Sequence, residues 1–264
     1  MTTVTRTDVL QSRRAPRLGA FNATLVGLEL RRLVRNRRTV IFTLVLPVVF
    51  FLLFGLNDAY ATKNAGHGNV AAFVMISMAI YGAMLATTSA GASVSIERSL
   101  GWSRQLRLTP LAPAAYIAVK LVAALVVGLS SIVAVYVAGI VTHKAQMPTY
   151  LWIVTGIIAW VGSLTFAAFG LFMGYLLPGE NVMQILGPGL ALLAFLGGLF
   201  VPLTAGSVME TIAKFTPMYG LNQLVHAPLT GDRIQAVWVV NLLVWLAVFA
   251  GGAAWRFRRD TARV

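Results

Sequence analysis

One short polar stretch, residues 93–113, holds the side chains in this chain best suited to charge-based chemistry. It reads SVSIERSLGWSRQLRLTPLAP and carries one glutamate, three arginines and a tryptophan. No lysine, arginine or acidic residue precedes it back to Lys63, and only Lys120 follows it before Lys144. On a helical period Ile96 and Leu100 share one face, and Glu97, Arg98 and Arg104 supply both charge signs on the exposed side. These charges on a short helix, with a rigid tryptophan as anchor, indicate a surface that docks on a protein. An interfacial loop whose arginines only fix topology is the alternative.

Residues for catalysis or metal binding are scarce elsewhere. The chain has no cysteine, and His67, His143 and His226 fall in three separate predicted loops without metal-ligand spacing, so we expect them to be solvated. No Gly-x-x-x-x-Gly-Lys-Ser/Thr phosphate-binding motif occurs. We therefore predict no catalytic, cofactor or metal residues in this chain, and no enzymatic activity of its own.

Composition indicates a membrane protein. Hydrophobic residues make up 58% of the chain and charged residues 11%, whereas soluble domains carry about a quarter charged residues. The net charge of +13 does not indicate nucleic-acid binding, because the basic residues cluster between long apolar segments instead of covering a folded surface.

Six long apolar segments predict an all-α polytopic protein, since about 20 residues of helix cross the hydrocarbon layer. Sixteen of the 21 lysines and arginines lie in 1–38, 95–112 and 256–264. Because basic loops stay on the cytoplasmic side, this bias predicts that both termini and the stretch 93–113 are cytoplasmic. The predicted spans are 39–56, 70–94, 113–142, 150–177, 182–203 and 234–255.

The basic region before the first span divides into a disordered tail, 1–18, and an amphipathic elbow helix, 19–38. The elbow helix is expected to lie in the interface, with its apolar side in the acyl boundary and its arginines among anionic headgroups. A basic segment that serves only topology is the alternative. Beyond it we predict a six-helix transmembrane domain, 39–255, and a basic cytoplasmic tail, 256–264. The apolar face comprises Val26, Leu30, Leu33 and Val34, and the basic face Arg31, Arg35 and Arg38.

Small residues and short apolar pieces add two expectations. Gly91 in the second span and the pair Gly170 and Gly174 in the fourth predict close helix packing within the chain. The pieces 208–215 and 221–229, split by Pro217 and Gly220, are too short to cross and predict a re-entrant segment on the outer side. A surface loop is the alternative.

The spans hold no acidic residue or histidine, and only Lys120, expected to snorkel, is charged. An ion-gradient-driven carrier is therefore disfavoured, because such proteins need intramembrane carboxylates or histidines. The spans offer hydroxyl and aromatic groups to an amphipathic or apolar substrate. The candidate path residues are Thr87, Thr88, Ser89, Phe195 and Phe200.

These features together resemble the permease subunits of type-two ATP-binding-cassette exporters, in the drug and polysaccharide efflux branch. The resemblance rests on the elbow helix, the six spans, IERSLGWSRQLRLTPLAPAAYIAVK between spans two and three, and FLGGLFVPLTAGSVMETIAKFTPMYGLNQLV after the fifth. Its most specific residues are Glu97, Gly101 and Leu106, the Thr-Pro-Leu of 109–111, Gly198, Pro202 and Pro217.

The resemblance implies that the stretch 93–113 is a coupling helix seated on a separate ATPase subunit, which binds ATP and Mg²⁺. A second permease subunit, identical or paralogous, would complete the transport path. The implied function is export of an antibiotic, drug or lipid-like molecule across a bacterial inner membrane, with efflux-based resistance. A polysaccharide or glycolipid exporter and a non-transporting scaffold or sensor subunit are the alternatives. The implied ATPase contacts are Glu97, Arg98, Gly101, Trp102, Arg104 and Arg107, although the family usually has a small polar residue where Trp102 stands.

Overall fold

The structure, a computed structural model, describes residues 23–101, 113–179 and 181–262. Within these ranges every regular element is helical, which confirms the predicted all-α class, and one isolated bridge joins Asn64 and Asn69. The predicted tail 1–18 lies outside the described residues. The helices are α1 Ala23–Arg35, α2 (Arg37–Val40, Ile41–Val45 and Leu46–Gly55), α3 Asp58–Thr62, α4 Val70–Ser99, α5 Pro113–Thr142, α6 Thr149–Gly162, α7 Leu164–Leu176, α8 Val182–Leu196, α9 Val208–Ala213, α10 Pro217–Thr230 and α11 Ala236–Ala262.

Four helical segments of the described chain are long and apolar enough to cross a membrane. They correspond to the predicted second, third, fourth and sixth spans: α4, α5, α6 continued by α7, and α11. The first and fifth predicted spans are shorter apolar helices, Ile41–Gly55 and Val182–Leu196. α8 ends well before residue 203 because Gly197 and Gly198 follow it, and Gly198 has a left-handed φ of 78°.

Pro47 shapes the first apolar helix. Proline has no N–H and cannot donate to the carbonyl four residues earlier, which here belongs to Thr43. The segment Ile41–Val45 before it is π-helical, and the Thr43 carbonyl accepts a hydrogen bond of 2.6 Å from the Ser131 hydroxyl of α5. The polar group that proline leaves without a partner thus fastens α2 to α5.

The long helix α4 lies at the centre of the described bundle and packs against α2, α5, α6, α7, α8 and α10. Its small residues allow this. A Cβ atom on Gly91 would lie 2.6 Å from the Ala167 carbonyl oxygen of α7, and one on Gly174 would lie 3.1 Å from the Ala92 Cα. The predicted close packing of Gly91, Gly170 and Gly174 within the chain is confirmed, because Gly170 lies directly against the Thr88 carbonyl.

Asn69 joins the loops at the predicted outer end of the bundle. Its side chain caps α4 by accepting from the Ala72 N–H at 2.9 Å, and its amide donates to the Ala61 and Lys144 carbonyls. Lys144 in turn donates to Asp58 at 2.6 Å, and this hydrogen bond and its charge hold the pKa of Asp58 below its usual value.

The segment between α8 and α11 differs from its prediction in detail. Pro217 begins α10 at its first turn, as suits a residue without an N–H, and Gly220 lies inside the helix against the Trp238 carbonyl. The second piece is therefore a 14-residue helix, packed on α4, α6 and α11. Its re-entrant path through the membrane stays a prediction.

The expectation that His226 is solvated is wrong. The side chain is 4% exposed inside α10, with Nε2 3.2 Å from the Ser77 hydroxyl and Nδ1 2.9 Å from the Asn222 carbonyl. Its ring also lies 4.0 Å from that of Phe73. The helix that begins at Pro217 places His226 against α4. The sequence pattern predicted a loop for this residue and therefore missed the contact.

Gly91→Ala is expected to destabilise the chain by about 1–3 kcal/mol, the cost of overpacking a site whose neighbour is backbone and cannot rotate away. Thermal unfolding of the purified chain in detergent measures the effect. Gly251→Ala is the matched control, because nothing lies within 4 Å of its Cβ position, and it should be neutral or stabilising by up to about 1 kcal/mol. Equal transition temperatures for the two variants would contradict close α4–α7 packing.

Candidate coupling site

The polar stretch 93–113 begins as part of α4. The helix continues to Ser99, and Gly101, with a left-handed φ of 74°, stands just beyond its end. α4 and α5 therefore flank the stretch 100–112, which contains most of the predicted ATPase contacts. Leu106 and three of those contacts, Trp102, Arg104 and Arg107, lie outside the described residues.

Glu97 is not on the exposed side of the helix, where the sequence pattern put it. It is 3% exposed, and its carboxylate accepts from Lys120, from the Tyr116 hydroxyl and from the Arg32 guanidinium. Leu100, expected on the opposite face, is 75% exposed. A carboxylate between apolar helices is stable only when hydrogen-bond donors or cations pair with it. Glu97 therefore lies on the packed side of α4, where these donors are, and Leu100 lies on the exposed side. The implied contact of Glu97 with an ATPase stays a prediction.

Lys120 is the cation at the centre of the same cluster. It is 2% exposed, so the expectation that it snorkels to the interface is wrong. Its ammonium binds Glu97 and also the Glu29 carboxylate of α1, at 2.5 Å. The Ser93 hydroxyl lies 3.5 Å from the same nitrogen.

Two carboxylates and two cations, contributed by three helices, make up this ionic cluster. Arg32 completes it from α1, with its side chain 44% exposed. Because the formal charges cancel and each carboxylate is hydrogen-bonded, the group avoids the desolvation cost of an unpaired charge between helices. We use "ionic cluster" below for Glu29, Arg32, Glu97, Tyr116 and Lys120.

The elbow helix α1 packs on protein through its apolar face. Leu33 is 8% exposed and, with Leu30, contacts a cluster of alanines on α4 and α5 that includes Ala86 and Ala123. The expectation that this face lies in the acyl boundary is therefore corrected. Arg31 and Arg35 are exposed, as predicted. Val34, assigned to the apolar face, is 64% exposed, and the side chain of Arg38 lies outside the described set.

Arg98 ties the end of α4 to the end of α7. Its guanidinium donates to the Tyr175 carbonyl at 3.0 Å and the Gly174 carbonyl at 3.3 Å, and lies 5.5 Å from the centre of the Tyr175 ring. These acceptors are the last carbonyls of a helix, which favour a cation. Arg98 thus has a structural position within the chain beside the predicted coupling stretch.

The predicted path residues do not form one surface. Thr87 and Thr88 are fully buried, and their hydroxyls donate to the Ala83 and Phe166 carbonyls. Ser89 is half-buried, 3.6 Å from the Met183 sulfur. Phe195 and Phe200 are 44% and 36% exposed. Thr87 and Thr88 therefore serve helix packing. Of the five predicted path residues, only Phe195, Phe200 and Ser89 are exposed enough to contact a substrate.

Sequence reasoning missed Glu29 and Tyr116, and it misread Lys120. A usable signal was present, because three charges are each isolated in the sequence. Glu29 is the only acidic residue in 9–57, Glu97 the only one in 59–179, and Lys120 the only charge in its span. Isolated opposite charges in a chain this apolar are best accommodated by contacting one another.

Buried ionisable groups also weaken the sequence-based argument against an ion-gradient-driven carrier. Glu97, Lys120 and His226 are enclosed by helices, so a lack of ionisable groups in the bundle no longer counts against ion-coupled transport. Among the described residues, no group of three acidic or histidine side chains could hold a metal.

Two comparisons give matches that extend over most of the chain. Residues 22–228 match a family described as ABC-2 type transporter. The chain is also 26% identical over 193 residues to "Putative transport permease YvfS" of Bacillus subtilis (strain 168), which covers 72% of this chain and 78% of that protein. The family match includes α1, the whole ionic cluster and nearly all of α10.

Lys120→Met is expected to cost about 3–5 kcal/mol, because it leaves two carboxylates facing each other between helices with Arg32 as the one cation paired with them among the described residues. Adding Glu29→Gln should recover part of the loss by removing the surplus charge. Thermal unfolding of the purified variants measures both effects.

Lys144→Met is the control for that series. Its ion pair with Asp58 is exposed, with side-chain exposures of 38% and 90%, and solvent screening should make its loss nearly neutral. If Lys120→Met were as mild as Lys144→Met, or if Glu29→Gln brought no recovery, the ionic cluster would not stabilise the fold as described.

Proposed function

Because the chain belongs to the ABC-2 type transporter family, we propose that it is the transmembrane subunit of an ATP-driven exporter. The chain has no phosphate-binding motif, so ATP and Mg²⁺ are assigned to separate ATPase subunits. A second permease subunit, identical or paralogous, completes the path. The non-transporting scaffold or sensor is the competing function.

The observation that carries this proposal is the ionic cluster beside the stretch 100–112. Glu97 stands two residues before the end of α4, and Tyr116 and Lys120 stand in the first turns of α5. Glu29 and Arg32 add α1 to the same group. A force on the stretch that connects α4 to α5 would therefore act on three helices that are held together by buried ion pairs.

Coupling follows from this arrangement in two steps. ATP-driven closure of the ATPase subunits changes the contacts that they make with residues 93–113, and a ligand can shift a conformational equilibrium only through such differential contacts. α4 then transmits the displacement, because it packs on α2, α6, α7, α8 and α10 as well as on α5. Small residues along α4 leave its contact with α7 without interlocking long side chains, and a shift there would break the hydrogen bonds that Thr88 and Arg98 make to α7.

The substrate is proposed to be amphipathic or apolar, such as a drug, an antibiotic or a lipid-like molecule. Exposed apolar and aromatic side chains, including Phe195 and Phe200, support this class. A polysaccharide or glycolipid remains the alternative substrate. The basic bias of 1–38, 95–112 and 256–264 supports both termini in the cytoplasm. A bacterial inner membrane is the proposed location, and efflux-based resistance is the proposed physiological role.

Arg104→Glu combined with Arg107→Glu should reduce the amount of ATPase subunit that copurifies with the tagged chain by at least about tenfold, because charge reversal turns a docking attraction into repulsion. Copurified protein is identified by its phosphate-binding motif in mass spectrometry. ATP-dependent uptake of an amphipathic dye into inside-out vesicles should fall in parallel, while the amount of chain in the membrane stays the same.

The control is Lys63→Glu combined with Arg233→Glu, an equal charge change at two exposed positions on the predicted outer side. It should leave copurification unchanged. Retention of the ATPase by the Arg104/Arg107 variant would contradict the docking assignment. Failure of any ATPase to copurify with the unmodified chain, together with ATP-independent dye movement, would contradict the ATP-driven function.

A further inference from the structure

A cavity of about 470 Å³ opens at the predicted cytoplasmic end of the bundle, where α4, α7 and α11 meet. Pockets that bind small ligands have volumes of roughly 300–1,000 Å³. The cavity is distinct from the ionic cluster, which lies between α1, α4 and α5. Its lining includes Ser95, Arg98, Tyr175, Gly179, Arg256 and Arg259.

Two arginines of α11, Arg256 and Arg259, line this cavity and favour an anionic ligand. Arg98 of α4 also lines it and is held by the α7 carbonyls described above. The Nε atom of Arg256 is buried and has no hydrogen-bond partner, and a buried donor of this kind is costly unless a ligand satisfies it. Arg259 is exposed and reaches the same cavity. The fork of N–H groups on each arginine matches the oxygens of a phosphate.

The surroundings of the cavity match the position of a lipid headgroup. The apolar span within α11 ends at Phe257, beside Arg256. Trp255, 51% exposed, stands next to the cavity with the Arg259 guanidinium 4.4 Å from its ring centre, and tryptophans at this level mark the membrane interface. An exposed apolar stripe leads away from it along α11 at helical spacing, through Val237, Val240, Val244 and Val248.

We propose that this cavity binds the phosphate headgroup of an anionic phospholipid of the inner leaflet, with an acyl chain lying along the exposed stripe of α11. The arginines supply the charge, and the unpartnered Arg256 Nε–H supplies a directed hydrogen bond. Basic pockets between transmembrane helices on the cytoplasmic side are recognised lipid headgroup sites. The bound lipid would fix the end of α11 against the ends of α4 and α7, which form the other walls of the cavity.

The test is a thermal-unfolding titration of the full, delipidated chain with short-chain phosphatidylglycerol and, separately, with short-chain phosphatidylcholine. Phosphatidylglycerol should raise the transition temperature saturably, by at least about 3 °C, since binding to the folded state alone stabilises it. Arg256→Gln combined with Arg259→Gln should weaken the apparent affinity by at least about tenfold, because two charged donors are lost. Arg259→Gln alone, at an exposed position, should give a smaller weakening and is compatible with folding.

The matched control is Arg31→Gln combined with Arg35→Gln, which removes the same charge from the exposed face of α1. It should retain the response to phosphatidylglycerol. Equal loss in both double variants would show a general surface attraction and overturn the site, and loss only in the α1 variant would move the site to the elbow helix.

Two further arms distinguish the source of the phosphate and the class of ligand. Inorganic phosphate that reproduced the full stabilisation would overturn the lipid assignment, as would an equal response to phosphatidylcholine. If the Arg256/Arg259 variant lost its ATPase subunit while its lipid response stayed normal, the cavity would be a protein contact and the lipid proposal would be wrong. Retained ATPase with a lost lipid response supports the proposal, and it does so whether or not the chain proves to export a substrate.

Discussion

The pairing of Glu97 with Lys120 is the constraint on which the predicted cytoplasmic half of this bundle depends. Each residue is almost fully buried between apolar helices, where an unpaired charge would be strongly unfavourable. The pair forces α4 and α5 to approach at a fixed register. Its second consequence is the placement of α1, because Glu29 and Arg32 balance the remaining charges and bring the apolar face of that helix onto the alanines of its neighbours.

A different kind of contact holds the remainder of α4. Towards α7, glycines and alanines bring backbones into van der Waals contact, and Thr88 adds a hydrogen bond to the Phe166 carbonyl. The helix is thus tied by ion pairs on one side and free of them at its α7 contact in the middle of the bundle. This asymmetry suits an element that moves with α1 and α5 and shifts against the rest of the bundle.

The sequence predicts the helical class, four of the long spans and the small-residue contacts, because hydrophobic length and glycine spacing are local signals. The ionic cluster depends on residues 29, 97 and 120, which are distant in sequence. Helical periodicity does not include such contacts, and it therefore predicted that Glu97 is exposed. The burial of His226 was missed for the same reason, since α10 folds back onto α4. The early end of α8 follows from Gly198, which has a left-handed backbone. The pair Gly197-Gly198 is a sequence signal for the end of a helix, so this end could have been predicted.

The central claim is that the ionic cluster makes α1 and α4 move as one unit, which we call rigid coupling. Its most direct test is a spin-label distance between α1 and α4 in the proposed complex with the ATPase, with and without trapped nucleotide. The chain has no cysteine, so Val34→Cys and Leu100→Cys, both at exposed positions, can be labelled directly. Labelled chain is diluted with unlabelled chain so that each distance is measured within one copy. Rigid coupling predicts that this distance is unchanged between the two states, while the distance from Leu100→Cys to Phe215→Cys beside α10 changes by several ångströms. A change of that size between Val34→Cys and Leu100→Cys would contradict it.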